Sequence, residues 1–211
     1  MRRLLYLADA FKSLASILIS GLGLDLSHSD FVYDSMLIAL TGNSRSSRTK
    51  VTKELCDKGY CAAKKMFYHG VKLHIVAQCN HKAMPTPSLM AISKASRHDL
   101  EVAKEMLDDV KNIRVFVDMA LVDSGWQQRM LAENNVTILT PVKRKKGQDV
   151  LYFADKLLSA AVSSIKQAIE SLNNWLIEKT NIQRASKVRS VAGLIAFVFA
   201  RVACVMFQLY C

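Results

Sequence analysis

The sequence predicts an α/β protein: a mixed β-sheet with flanking helices and a helical C-terminal region. Three observations carry this. Short β-branched and aromatic segments follow one another in the first half, strand-like and helix-like segments then alternate, and beyond residue 150 the chain reads as helix. The 211 residues are 51% hydrophobic and 22% charged, with three prolines and eight glycines, the composition of a chain that packs a core. That length suits one domain with a helical extension.

Leu4, Leu7, Phe11, Leu14 and Leu18 recur at helical spacing until Gly21 and Gly23 stop the pattern, so residues 1–26 form an N-terminal helical segment ahead of a domain over 27–211. Residues 31–40 are β-branched and aromatic and predict a buried strand carrying a single acid, Asp34. Residues 41–53 collect Gly, Asn, Ser, Arg and Lys, a solvated loop with Arg45, Arg48, Lys50 and Lys53 pointing outward. In the next block Val71, Leu73, Ile75 and Ala77 alternate with more polar neighbours, which predicts a strand with one buried face. Pro85 and Pro87 then break the chain before a third strand at 88–93, paired with the second as a hairpin or meander.

Asp99 is placed to cap a helix whose buried stripe is Leu100, Ala103, Met106, Leu107 and Val110. Residues 113–118 form a strand ending on Asp118, a helix follows over about 123–133, and residues 136–140 form another strand. A basic loop with Lys143, Arg144, Lys145 and Lys146 leads into helix, broken near residues 181–185.

Lys and Arg outnumber Asp and Glu by 29 to 18, a net charge of +11, which favours a polyanionic partner, nucleic acid or anionic membrane. Five scattered cysteines build neither a disulfide framework nor paired zinc half-sites, and suit a reducing cytoplasm. Two apolar stretches, 13–24 and 191–211, invite a membrane test. Arg201 splits the second into runs shorter than the ~18 to 20 apolar residues of a spanning helix, so it reads as a buried core helix with no membrane partner. Asp9 and Lys12 interrupt the leucine-rich start and argue against a signal peptide.

Three acids stand out by context: Asp34 within the first strand, Asp118 at the end of the fourth, and Glu170 on the long helix after the basic loop. Adjoining strands can bring the two aspartates together, and a helix laid across them can add the glutamate. Carboxylates gathered at one point repel, so such a cluster needs a cation, and hard oxygen ligands favour magnesium or manganese. A strand-end Asp and a helical Glu are otherwise a cap and a solvated charge. The apolar residues 115–117 before Asp118, and those around Asp34, make the aspartates the stronger candidates.

Several pieces occur in one order: Asp34-Ser35-Met36-Leu37-Ile38, then Tyr68-His69-Gly70-Val71-Lys72-Leu73-His74, then His98-Asp99 opening a helix, Val117-Asp118 ending a strand, and Ile169-Glu170 on a helix. From Asp34 to about Leu209 the chain thereby resembles the transposase DDE domain of bacterial insertion sequences, with a step of 84 residues from Asp34 to Asp118 and of 52 from Asp118 to Glu170. The resemblance implies a ribonuclease-H-like fold and a DNA transposase that cleaves and transfers strands. Asp34, Asp118 and Glu170 are then catalytic residues that hold Mg2+ or Mn2+. It also implies double-stranded DNA as partner, as transposon ends and target, a homodimer, and a bacterial cytoplasmic, nucleoid-associated location.

Basic residues suit a DNA path: Arg45, Arg48, Lys50, Lys72, Lys143, Arg144, Lys145, Lys146 and Lys166 contact phosphates without reading bases, the strongest patch being 143–146. Trp126 and Trp175 read as packing residues rather than base-stacking platforms. Two departures stand out. Met119-Ala120-Leu121 replaces the usual Lys-Gly/Ala-Tyr, and Lys166 stands where an Arg is usual, losing the bidentate fork. With the short segment before Asp34, they motivate an alternative, a catalytically decayed remnant that only binds DNA.

Overall fold

The β-branched and aromatic run around Asp34 becomes β1 (Asp30–Thr41), the strand on which the sheet is built. The computed structural model describes residues 7–21, 30–45, 48–49, 51–80, 82–144 and 147–210. In it β1 pairs antiparallel with β3 (Met66–Gln78) on one side and parallel with β5 (Arg114–Phe116) on the other. β2 (Asp57–Cys61) and β4 (Thr86–Lys94) share the outer edge of β3, both antiparallel to it, and β6 (Thr137–Leu139) lies parallel beyond β5. The strand order is β2-β3-β1-β5-β6, with β4 also on β3. The mixed sheet is thus antiparallel in its first half and parallel where strand and helix alternate.

The helices are α1 (Ala8–Gly21), α2 (Asp99–Leu107), α3 (Ser124–Asn134), α4 (Phe153–Thr180) and α5 (Val191–Tyr210). Successive residues of β1 point to opposite faces and divide between two cores. Val32, Met36 and Ile38, with Leu73 and Ile75 of β3, pack against Ile169 and Leu172 of α4 and Leu194 and Val198 of α5. Phe31 and Tyr33, with Val76, pack against Leu107 of α2 and Trp126 and Met130 of α3.

This double cover corrects the expectation that β3 has one buried face: nearly all of it is buried. The polar residues alternating with its apolar ones are enclosed because they satisfy one another. His74 has no exposed surface; its Nδ1 lies 2.7 Å from the Tyr33 hydroxyl and its Nε2 2.7 Å from Ser93 Oγ. Burial depresses its pKa to about 4, so the imidazole is neutral. Gly70 is required by close approach, since a Cβ there would lie 2.0 Å from the Ile38 carbonyl oxygen.

Three further features depart from the sequence pattern. β2 is a short polar edge strand held by the backbone ladder, with little apolar alternation to reveal it. Pro87 lies inside β4, at an irregularity in its pairing with β3 where the ladder needs no donor. Asp99 does not cap α2: His98 is the N-cap and accepts from Leu100 N, which frees the Asp99 carboxylate for a tertiary role.

α4 ends at Asn181, in a left-handed conformation (φ 51°) that closes the last turn, and residues 181–190 form the expected break. Residues 183–185 continue beside β1 where β5 has stopped: Ala39 N donates to Gln183 O and Ala185 N to Ala39 O, both at 2.8 Å. In α5, Val191–Gln208 is long and apolar enough to cross a membrane by length and composition, with mean hydropathy 2.0 and 44% of it buried within the fold. Arg201 is held there by hydrogen bonds to Thr180 O (3.0 Å) and Phe197 O (3.2 Å), closing the C-terminus of α4.

Candidate active site

The pleat of β1 turns Asp34 toward α4, between Val32 and Met36 and opposite Ile75 of β3. β5 pairs in parallel through Phe31↔Val115 and Val32↔Phe116, so two residues further along each strand Asp118 comes level with Asp34. β5 ends at Phe116; Asp118 is still extended (φ −70°, ψ 156°) and precedes a 3-10 turn, Met119–Leu121. Its carboxylate makes no capping bond to that turn, and its side chain is 54% exposed.

α4 crosses above the pair. Lys166, buried on the helix, forms an ion pair with Asp118, and Asn173 Nδ2 donates to Asp34 Oδ2 at 2.8 Å. Glu170 lies between them, four residues past Lys166 and three before Asn173, on the same side of the helix. It is exposed.

Asp34 is raised from the ordinary 3.8 to about 6, mainly because burial disfavours its charge, with the Asp118 carboxylate pushing the same way. The Lys166 ammonium, the Ser35 backbone N–H and the Asn173 amide pull against that rise. A negative charge is therefore held where the fold only partly compensates it. Asn173 Oδ1 is also buried with no hydrogen-bond partner among the described residues. Two carboxylates, an orphaned amide oxygen and a third carboxylate one turn away along α4 are hard oxygen donors, the chemistry that magnesium or manganese takes. Among the described residues no three Asp, Glu, His or Cys side chains converge into a closed metal cluster. Asp118 is instead engaged by Lys166.

The other predicted contacts fare differently. Lys72, expected on a DNA path, donates through its ammonium to Asp99 Oδ1 (2.7 Å) and Arg97 O (2.9 Å), and its side chain is 18% exposed. The buried network claims it, because Asp99 lies on the same sheet face and needs a cation. Ser35 Oγ donates to Asp99 Oδ2 at 3.0 Å, so this carboxylate ties the residue next to Asp34 to the start of α2. Lys143 and Arg144 are exposed, while Lys145 and Lys146 lie outside the described residues, as does Lys50. Trp126 is 4% exposed and belongs to the core, and Trp175 packs against the α4 side of the sheet.

Sequence reasoning missed Asn173 and the anchoring role of Asp99. A signal for Asn173 existed: it stands two turns beyond Lys166, among Leu172 and Leu176 on an otherwise apolar stripe.

A family model described as transposase DDE domain matches residues 27–190, a span that holds β1 to β6, α2 to α4 and all three acids. The chain matches no curated protein and no solved structure.

Proposed function

The chain belongs to the transposase DDE domain family, and from that premise we propose that it is a DNA transposase which cleaves and rejoins DNA strands at Asp34, Asp118 and Glu170. DDE transposase domains generally act on DNA with divalent metal. The observation that carries the reading for this chain is the meeting of Asp34 and Asp118 on one sheet face beneath a single stripe of α4 bearing Lys166, Glu170 and Asn173. The strand order, four strands joined antiparallel (β1 to β4, with β4 sharing the edge of β3 with β2) followed by two parallel to β1, supports a ribonuclease-H-like sheet. The substrate is double-stranded DNA, transposon ends and target, handled by a homodimer on the nucleoid in the cytoplasm.

Asp34, Asp118 and Glu170 are the residues that would hold magnesium or manganese. The bound metal supplies Lewis-acid stabilisation of the in-line displacement, in which water or a 3′-hydroxyl attacks phosphorus and a 3′-oxygen leaves. Asn173 and the Ser35 N–H orient the Asp34 carboxylate. Lys166 balances Asp118 and, as a cation beside the acids, attracts the phosphodiester. The apolar walls around Asp34 keep water from that carboxylate and strengthen its own charge interactions, while Asp118 and Glu170 stay open to solvent and substrate.

The test is nicking of supercoiled plasmid by the purified chain with magnesium, with manganese and with chelator, beside Asp118→Asn. Metal-dependent nicking confined to the wild type is the expected result; equal nicking by Asp118→Asn overturns the assignment. A second reading, a remnant that binds DNA without cutting it, is favoured by the engagement of Asp118 by Lys166 and by the unconverged acids. It predicts salt-sensitive DNA binding with no nicking under any metal condition.

A further inference from the structure

A groove runs away from the acid site along the C-terminal end of α4. It is formed by two adjoining cavities of about 530 and about 800 Å3 that share Asn181, Arg184 and Ser186. Its near end is built by Ile177, one turn past Asn173 on α4, and by Leu37, ~10 Å along β1 from Asp34 and on the other face of that strand. Lys64, Arg184, Lys187, Arg189 and Arg201 line it, and among the described residues no Asp or Glu does.

These cations are not equally committed. Arg201 is held by Thr180 O and Phe197, Lys64 donates to Gln183 Oε1 at 2.5 Å, and Arg189 Nη1 donates to the Ser186 and Val188 carbonyls at 2.7 Å. Arg184 and Lys187 are exposed and have no acidic partner among the described residues. Arg184 is nonetheless fixed in place, because the backbone bonds on either side of it pin its segment to Ala39 of β1. Like charges gathered on a rigid segment without acids repel one another, a cost that a polyanion in the groove removes.

We propose that this groove is a DNA-backbone binding site, with Arg184, Lys187 and Arg189 contacting the phosphates of the strand that leaves the acid site; this rests on the transposase reading above. The arrangement of α4 favours DNA over an anionic lipid surface. The exposed Lys143 and Arg144 lie at its N-terminal end, where Val142 N is tied to Ser159 Oγ at 2.9 Å. The two cavities of the groove meet at Asn181, at the other end. Ser159 and Asn181 are roughly 33 Å apart along the helix, about one turn of duplex DNA, with the partners of both aspartates between them.

The experiment is equilibrium binding of the full chain to a linear duplex in chelator, across a salt series, with the wild type, an Arg184→Gln/Lys187→Gln/Arg189→Gln variant and a Lys143→Gln/Arg144→Gln variant. An Arg184→Gln/Lys187→Gln variant, which leaves the carbonyl contacts of Arg189 intact, guards against misfolding. The groove variants are expected to bind roughly tenfold or more weakly, with a salt slope shallower by about 0.9 for each phosphate that is no longer neutralised. Groove variants with wild-type affinity and slope, while the 143/144 variant is weakened in both, overturn the groove and leave the transposase reading standing. A wild type that binds no DNA overturns both. Wild type that binds phosphatidylserine vesicles through Arg184 and Lys187, and no duplex, assigns the groove to a membrane surface instead.

Discussion

Replacing Asp34 by Asn separates what this acid does for chemistry from what it costs the fold. Asn keeps the shape and removes the charge that sits among Val32, Met36 and Ile75. A carboxyl raised from 3.8 to about 6 lowers folded-state stability at neutral pH by about 3 kcal/mol, at ~1.4 kcal/mol per tenfold change in acidity. Because the folded pKa lies above the unfolded one, the folded chain binds the proton first as pH falls, and the penalty fades between about pH 6 and 4. Asp34→Asn is therefore expected to be more stable than wild type by on the order of 2–3 kcal/mol at pH 7.5, with a gap that nearly closes by pH 4. In a chain of this size that corresponds to a Tm gain of roughly 5–10 °C. Urea unfolding followed by circular dichroism, in chelator at both pH values, reads it directly. Magnesium or manganese should then stabilise the wild type and leave Asp34→Asn unmoved. A variant no more stable than wild type at pH 7.5, or a gap that widens on acidification, refutes the claim that Asp34 is held against the preference of its surroundings.

Glu170→Gln should abolish metal-dependent nicking while moving stability by no more than about 0.5 kcal/mol, because the side chain is exposed; a large loss of stability in urea would make it a structural residue. Gly70→Ala should destabilise by several kcal/mol or prevent folding, since its Cβ would lie 2.0 Å from Ile38 O, and an unchanged melting temperature would contradict that close approach. In an Asp34→Asn background, stability should fall as pH drops from about 6.5 to 4. His74, with a folded pKa of about 4, stays neutral while the unfolded chain takes up a proton, a loss on the order of 3 kcal/mol. His74→Gln should flatten that dependence, and an equally steep profile in the variant would exonerate the imidazole.

Local pattern was enough for much of this protein. The β-branched run around Asp34, the apolar residues before Asp118, the long helix carrying Glu170 and the break after it were all legible, because burial on one face imposes a period that sequence alone displays. Strand β2 was not legible: an edge strand held by backbone hydrogen bonds needs no apolar alternation. Nor was the double burial of β3, where polar residues that look solvated are enclosed because Tyr33, Ser93 and Asp99 answer them.

At the site, local pattern picked out Asp34 inside an apolar strand and the helix that carries Glu170, while Asp118, expected in apolar surroundings, is half exposed. Their partners are set by how the elements pack. The parallel register of β1 and β5 sets Asp118 level with Asp34, and the crossing of α4 brings Lys166 to one and Asn173 to the other. The pairing of Lys72 with Asp99, and the gathering of Lys64 with residues 184–189 in one acid-free groove, were decided the same way. The difference is one of range. Periodicity reports how each residue meets its own element's surface, whereas a charge finds its partner across strand register and helix crossing, which no local stretch of chain contains.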